Sequence, residues 1–122
     1  MLNRIILAGN LTADPELRYT TNQIPVCTFT LAVNRDYGDD CDFINCVAWR
    51  STAEFVSRYF SKGTRAIVDG RLEMRRWTNA KGENRITAEV KAESIYFGEK
   101  KHSTPADQVE FEEIEVEGEL PF

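Results

Sequence analysis

Catalytic and metal-binding side chains are scarce in this sequence. Its 122 residues include one histidine, His102, set between Lys101 and Ser103. A lone histidine with no nucleophile or orienting acid beside it makes no general-base constellation, so it reads as a solvated residue. Cys27, Cys41 and Cys46 contain no Cys-x-x-Cys pair, and an odd count is a poor disulfide framework. With one distant histidine they also lack metal-ligand spacing. Asp39, Asp40 and Asp42 are acidic without the spaced ligands and closing Glu of a cation loop. No Gly-rich phosphate loop is present. No stretch approaches the roughly 18 apolar residues of a membrane span, and the apolar run within Met1 to Asn10 is too short for a signal peptide. The expectations are therefore no catalytic residue, no metal, no cofactor and no membrane association.

One strongly acidic segment has no basic residue to balance it. From Asp107 to Phe122 there are seven acids and no Lys or Arg. The whole chain carries 15 basic and 20 acidic residues, net −5; without those seven acids, residues 1–106 hold 15 against 13, net +2. An acidic total would argue against a polyanionic partner, but the charge is divided along the chain and that argument fails. The acidic run closes on Gly118-Glu119-Leu120-Pro121-Phe122. A solvating segment needs no such apolar tip, and a packed element would not carry that charge run. The combination suits a basic, partly apolar pocket on another protein. Glu117, Glu119, Leu120, Pro121 and Phe122 are its candidate partner-binding residues.

What is present before that is strand-like. Ile5 to Ala8 is a short apolar run. Val26 to Asn34 alternates, with Cys27, Phe29, Leu31 and Val33 on one face and Thr28, Thr30, Ala32 and Asn34 on the other. Phe43, Asn45, Val47 and Trp49 share one face of a third strand. Cys27 and Cys46 fall inside this alternation as small buried thiols, which fits a reducing compartment. One helix follows. Ser51-Thr52-Ala53-Glu54 has capping-box spacing, Phe55, Val56, Tyr59 and Phe60 recur at helical intervals, and Gly63 is a C-terminal stop. Strands return at Arg65–Asp69, Leu72–Trp77 and from Ile86 to Ala92, with Asn79-Ala80-Lys81-Gly82 as a hairpin tip. The order matches an all-β, five-stranded Greek-key barrel of the OB type with one short helix between its third and fourth strands. The expected organisation is a folded domain over residues 1–97, a short linker over 98–106 and an acidic tail over 107–122. A core of this size is thin for stability alone, and oligomerisation is one remedy.

Aromatic residues sit beside cations at strand ends and loops. Trp77 follows Arg75-Arg76, Trp49 precedes Arg50, and Tyr37 follows Arg35. Phe29, flanked by threonines, shows what a core aromatic looks like instead. Single-stranded nucleic acid is held by such pairs, the rings stacking on bases while Lys and Arg follow the phosphates.

Five blocks then carry a resemblance: Met1 to Leu11, Asp14 to Thr20, Thr28 to Arg35, Asp42 to Arg50 and Gly70-Arg71-Leu72, together with the Leu120-Pro121-Phe122 tip. In this order they resemble the bacterial and phage single-stranded DNA-binding proteins over residues 1–97. The resemblance implies base stacking on Tyr37, Phe43, Trp49 and Trp77. It implies phosphate contacts from Arg4, Arg35, Arg50, Lys62, Arg75 and Arg76, and a homotetramer. It further implies recruitment of replication, recombination and repair proteins by the acidic tip, in the cytoplasm and at the nucleoid. Two features depart from the family pattern: the linker from Gly98 to Ala106 is short, and the loop between Arg35 and Asp42 is short and acidic. Three rival readings are an RNA-binding OB or cold-shock-like domain, an adaptor that only displays the tail, and an enzyme.

Overall fold

Alternating apolar residues close this chain on itself. The computed structural model describes residues 1–98. Strands β1 (Ile5–Leu11), β2 (Glu16–Tyr19), β3 (Pro25–Asn34) and β4 (Cys41–Trp49) lead into helix α1 (Arg50–Tyr59), then β5 (Arg65–Thr78) and β6 (Asn84–Phe97). The sheet order is β1-β5-β6-β4-β3-β2, and β1 also pairs with β3 through Asn10↔Ala32 and Leu11↔Leu31. That extra pairing closes five strands into a barrel, as the OB expectation requires. β2 lies outside the ring, paired along β3 from Glu16↔Thr28 to Tyr19↔Pro25. The contact of β4 with β6 is parallel, and every other pairing is antiparallel.

The core lies inside the ring. Cys27, Leu31, Cys46, Ala48, Val68 and Val90 are all buried there. Burying a Leu or Val side chain contributes roughly 1.5–3 kcal/mol, so the inward half of each strand holds the barrel together. α1 covers the core on one side. Ala53 and Val56 are its buried residues, spaced three apart on one face. Phe60, just past its end, stacks on Phe97 with ring centroids 4.5 Å apart. That stack fastens the end of β6 to the end of the helix.

The helix does not start with the expected capping box. Its N-cap is Trp49, with no side-chain capping bond, so Ser51 and Glu54 lie within the first turns. The chain turns from β4 into α1 at Arg50, whose φ of 59° is left-handed. Arg65–Asp69 and Leu72–Trp77 are one long strand, with a register shift between Asp69 and Gly70. A Cβ on Gly70 would lie 2.0 Å from the Lys91 carbonyl oxygen, so only glycine lets β6 approach there. Beyond the shift, β5 and β6 run on as a two-stranded arm. Its tip is set by Asn79 Oδ1, which accepts the N–H groups of Lys81 and Glu83, both at 2.9 Å.

Candidate nucleic-acid interface

Strand alternation decides which side chains share the outer face. On β4, Cys46 and Ala48 point into the core, so Phe43, Asn45, Val47 and Trp49 point out. Their partners on β3 are Ala32, Thr30, Thr28 and Val26. Thr30 Oγ1 donates to Asn45 Oδ1 at 3.2 Å across this pair. On the arm, Trp77 pairs with Arg85, Arg75 with Thr87, Glu73 with Glu89 and Arg71 with Lys91. Trp77 Nε1 donates to Thr87 Oγ1 at 2.8 Å. A groove of about 620 Å³ runs between the β2 side and the arm, with Thr28, Asn45, Trp49, Arg75 and Thr87 among its walls.

The four expected stacking residues are exposed, at 89% for Tyr37, 64% for Phe43, 39% for Trp49 and 41% for Trp77. A ring must show a face to solvent to stack on a base, and all four can. Trp49 lines the groove and Trp77 stands beside it through Thr87. Phe43 shares the β4 face with Trp49. Tyr37 lies in the loop between β3 and β4.

The six expected phosphate-binding residues divide into classes that adjacency in sequence does not show. Arg35 Nη2 donates to Asp42 Oδ1 at 2.9 Å, and that bond holds the Asp42 carboxyl below its usual range and raises the Arg35 guanidinium. Arg4 is bound by Asp69 at 2.6 Å and approaches Glu93 at 4.0 Å. Among the described residues, Arg50, Lys62, Arg75 and Arg76 make no ion pair. Arg75 lines the groove. Arg76 pairs with Ile86 and lies by alternation on the opposite face from Arg75 and Trp77, so the two neighbours do not share a surface. The Lys62 backbone N–H donates to Asp14 Oδ1 at 2.8 Å, at the rim of the groove.

Sequence reasoning separated Thr28 and Thr30 from the core and set Asn45 beside Trp49, but it did not read the polar residues as lining of a groove. Thr28, Thr30, Asn45, Thr87 and Glu89 occupy outward positions of strands whose inward residues were recognised. The signal was the other half of the same alternation. Three carboxylates, those of Asp14, Glu16 and Glu89, also line the groove. Three more arginines on these strands are neutralised by carboxylates two residues away: Arg18 by Glu16, Arg71 by Glu73 at 3.2 Å and Arg85 by Glu83 at 2.8 Å. The face is thus aromatic and polar with few free cations, rather than a continuous basic channel. Cys27 and Cys46 are buried beneath it, and burial, followed by the nearby Glu16 and Glu89 charges, pushes their thiols up to about 11 and about 12.

The model of the single-strand binding protein family matches residues 2–98, the whole barrel with its arm. The chain belongs to this family. It is 51% identical to single-stranded DNA-binding protein A of Bacillus subtilis over 107 residues, 84% of this chain and 62% of that protein. It is 50% identical to a single-stranded DNA-binding protein of Halalkalibacterium halodurans over 108 residues, 84% of this chain and 64% of that protein. A Staphylococcus aureus single-stranded DNA-binding protein is 47% identical over 113 residues, 88% of this chain and 72% of its own length. The chain spans a little over six tenths of the length of the first two relatives. The matched region is the one that holds Tyr37, Phe43, Trp49 and Trp77. The expected partner-binding residues Glu117 to Phe122, the linker beyond Gly98 and His102 lie outside the described residues.

Proposed function

We propose that this chain binds single-stranded DNA without strong sequence preference and acts as a non-catalytic protein of replication, recombination and repair. The observation that carries this is the open face on which Phe43, Trp49 and Trp77 stand with the unpaired Arg75. Stacking tolerates any base, because every base has a π-face. Arg50, Lys62 and Arg75 are the phosphate contacts available without rearrangement. Arg4 and Arg35 contribute by exchanging Asp69 and Asp42 for phosphate, and Arg76 contacts only a strand that passes around the arm. Bound strand is withheld from reannealing by mass action. The names of the relatives support DNA over RNA as the ligand.

The working unit in this reading is residues 1–97 as barrel, 98–106 as linker and 107–122 as tail, assembled as a homotetramer in the cytoplasm at the nucleoid. Leu72, Met74 and Ile86 are exposed on the arm face opposite Trp77, an apolar stripe suited to burial against another copy. Glu117, Glu119, Leu120, Pro121 and Phe122 recruit partner proteins. Phe122 fills an apolar pocket while the acids meet Arg or Lys. Among the described residues no helix is long and apolar enough to cross a membrane.

Tryptophan fluorescence titrations of the full chain with dT, U and duplex oligonucleotides test the reading. Quenching and tight binding by the dT strand alone are expected. Trp49→Ala and Trp77→Ala each weaken it roughly tenfold, since stacking is worth about 1–3 kcal/mol per base. Stronger binding to the RNA would favour the RNA-binding rival through 2′-hydroxyl contacts. Native affinity in both variants would sink the stacking reading, and a native chain that binds no strand at all would leave the adaptor.

A further inference from the structure

The two tryptophans of the interface differ in how their indole N–H groups are used. Among the described residues Trp49 Nε1 has no hydrogen-bond partner, whereas Trp77 Nε1 is bound to Thr87 Oγ1 at 2.8 Å. Thr87 faces Arg75 in the β5–β6 register, so it is the diagonal neighbour of Trp77 on the same face. Its β-branched side chain has few rotamers and holds the hydroxyl where the backbone aims it. The bond is not needed to satisfy a buried donor. Trp77 is 41% exposed on a two-stranded arm, where water can take its N–H. What the bond supplies is orientation: a contact at the far end of the indole blocks rotation about both side-chain torsions.

We propose that Thr87 is a positioning residue of the interface, holding the Trp77 indole in the orientation that receives a base before any strand arrives. The inference rests on the single-stranded DNA reading above. An aromatic side chain that must be ordered on binding weakens affinity, by about two- to tenfold for one rotamer-rich group. Thr87 removes that loss, and Trp49 has no such fixture. The interface thus carries one preset platform, on the arm, and one adjustable one, at the end of β4. Thr87 also keeps the indole N–H from choosing among base edges, which preserves stacking that accepts every base.

The test uses the full chain and two substitutions of similar size. Thr87→Val keeps the branched shape and removes the acceptor; Thr87→Ser keeps the acceptor. With Trp49→Phe as background, Trp77 is the only tryptophan and its fluorescence anisotropy reports ring mobility without DNA. The expected result is lower anisotropy in T87V and near-native anisotropy in T87S. Affinity for a dT oligonucleotide falls about two- to tenfold in T87V and is largely retained in T87S, with the salt dependence unchanged. In a double-mutant cycle with Trp77→Phe, which removes the indole N–H, T87V has no further effect. Unchanged anisotropy in T87V would overturn the proposal, as would equal weakening by T87V with and without the Trp77→Phe substitution. A native chain that binds no single strand refutes the functional reading instead, and the anisotropy still decides whether Thr87 fixes the ring.

Discussion

Arg75 and Arg35 should respond differently to salt. Arg75 lines the groove and has no carboxylate partner among the described residues, while Arg35 is bonded to Asp42 at 2.9 Å. Each phosphate neutralised on a single strand adds about 0.7 to the steepness of log K against log salt. Arg75→Ala should therefore flatten the slope by about 0.7, so that over a tenfold rise in salt the variant loses about fivefold less affinity than the native chain. Arg35→Ala should flatten it much less, because an Arg35 that turns to a phosphate leaves Asp42 unpaired, and the cation released from the strand is offset by cations drawn to that carboxylate. Asp42→Asn makes the opposite case. It frees Arg35 and should steepen the slope by up to about 0.7. Titrating a labelled dT oligonucleotide against all four proteins at several salt concentrations gives the slopes directly. Equal slopes for R75A and R35A, or no steepening in D42N, would refute the claim that ion pairing decides which arginines count.

Gly70→Ala should destabilise the barrel severely, by more than about 3 kcal/mol, because the new Cβ would sit 2.0 Å from the Lys91 carbonyl oxygen in the β5–β6 ladder; urea unfolding measures it. Arg50→Gly relieves the left-handed φ of 59°, so stability should hold or rise by up to about 1 kcal/mol, while DNA binding weakens through the lost cation, so stability and affinity should diverge. Raising the pH should erode stability from about 9 upward. The Cys27 and Cys46 thiols stay protonated in the fold up to about 11 and about 12, while in the unfolded chain they ionise near 9.0, so the unfolded state binds fewer protons in that window and is favoured as pH rises. Cys27→Ser with Cys46→Ser should remove that pH dependence in urea melts, even though the variant starts less stable.

The parts that were legible in the sequence are those in which one strand carries its own message. Cys27, Phe29 and Leu31 announce the inner face of β3, and Cys46 and Ala48 that of β4, because a strand's period of two needs no knowledge of its neighbours. β2 gave no such message. Glu16-Leu17-Arg18-Tyr19 is four residues at the edge of the sheet, with Leu17 alone packing on the core, so it exists by pairing with β3 rather than by pattern. The start of α1 misled for a related reason. Ser51 and Glu54 have the right spacing, but the end of β4 fixes where the chain turns, and Arg50 absorbs the turn in a conformation that its side chain disfavours. The site was legible to the same depth. Trp49 and Trp77 stood out by the arginines beside them in sequence, whereas the division of the arginines did not. Arg35 to Asp42 spans a loop, Arg4 to Asp69 spans most of the barrel, and Arg75 and Arg76 are neighbours on opposite faces. Composition counts all of these as equal positive charge. Only pairing and strand face separate a cation already held by a carboxylate from one left for a phosphate, and that separation is made by contacts distant in sequence.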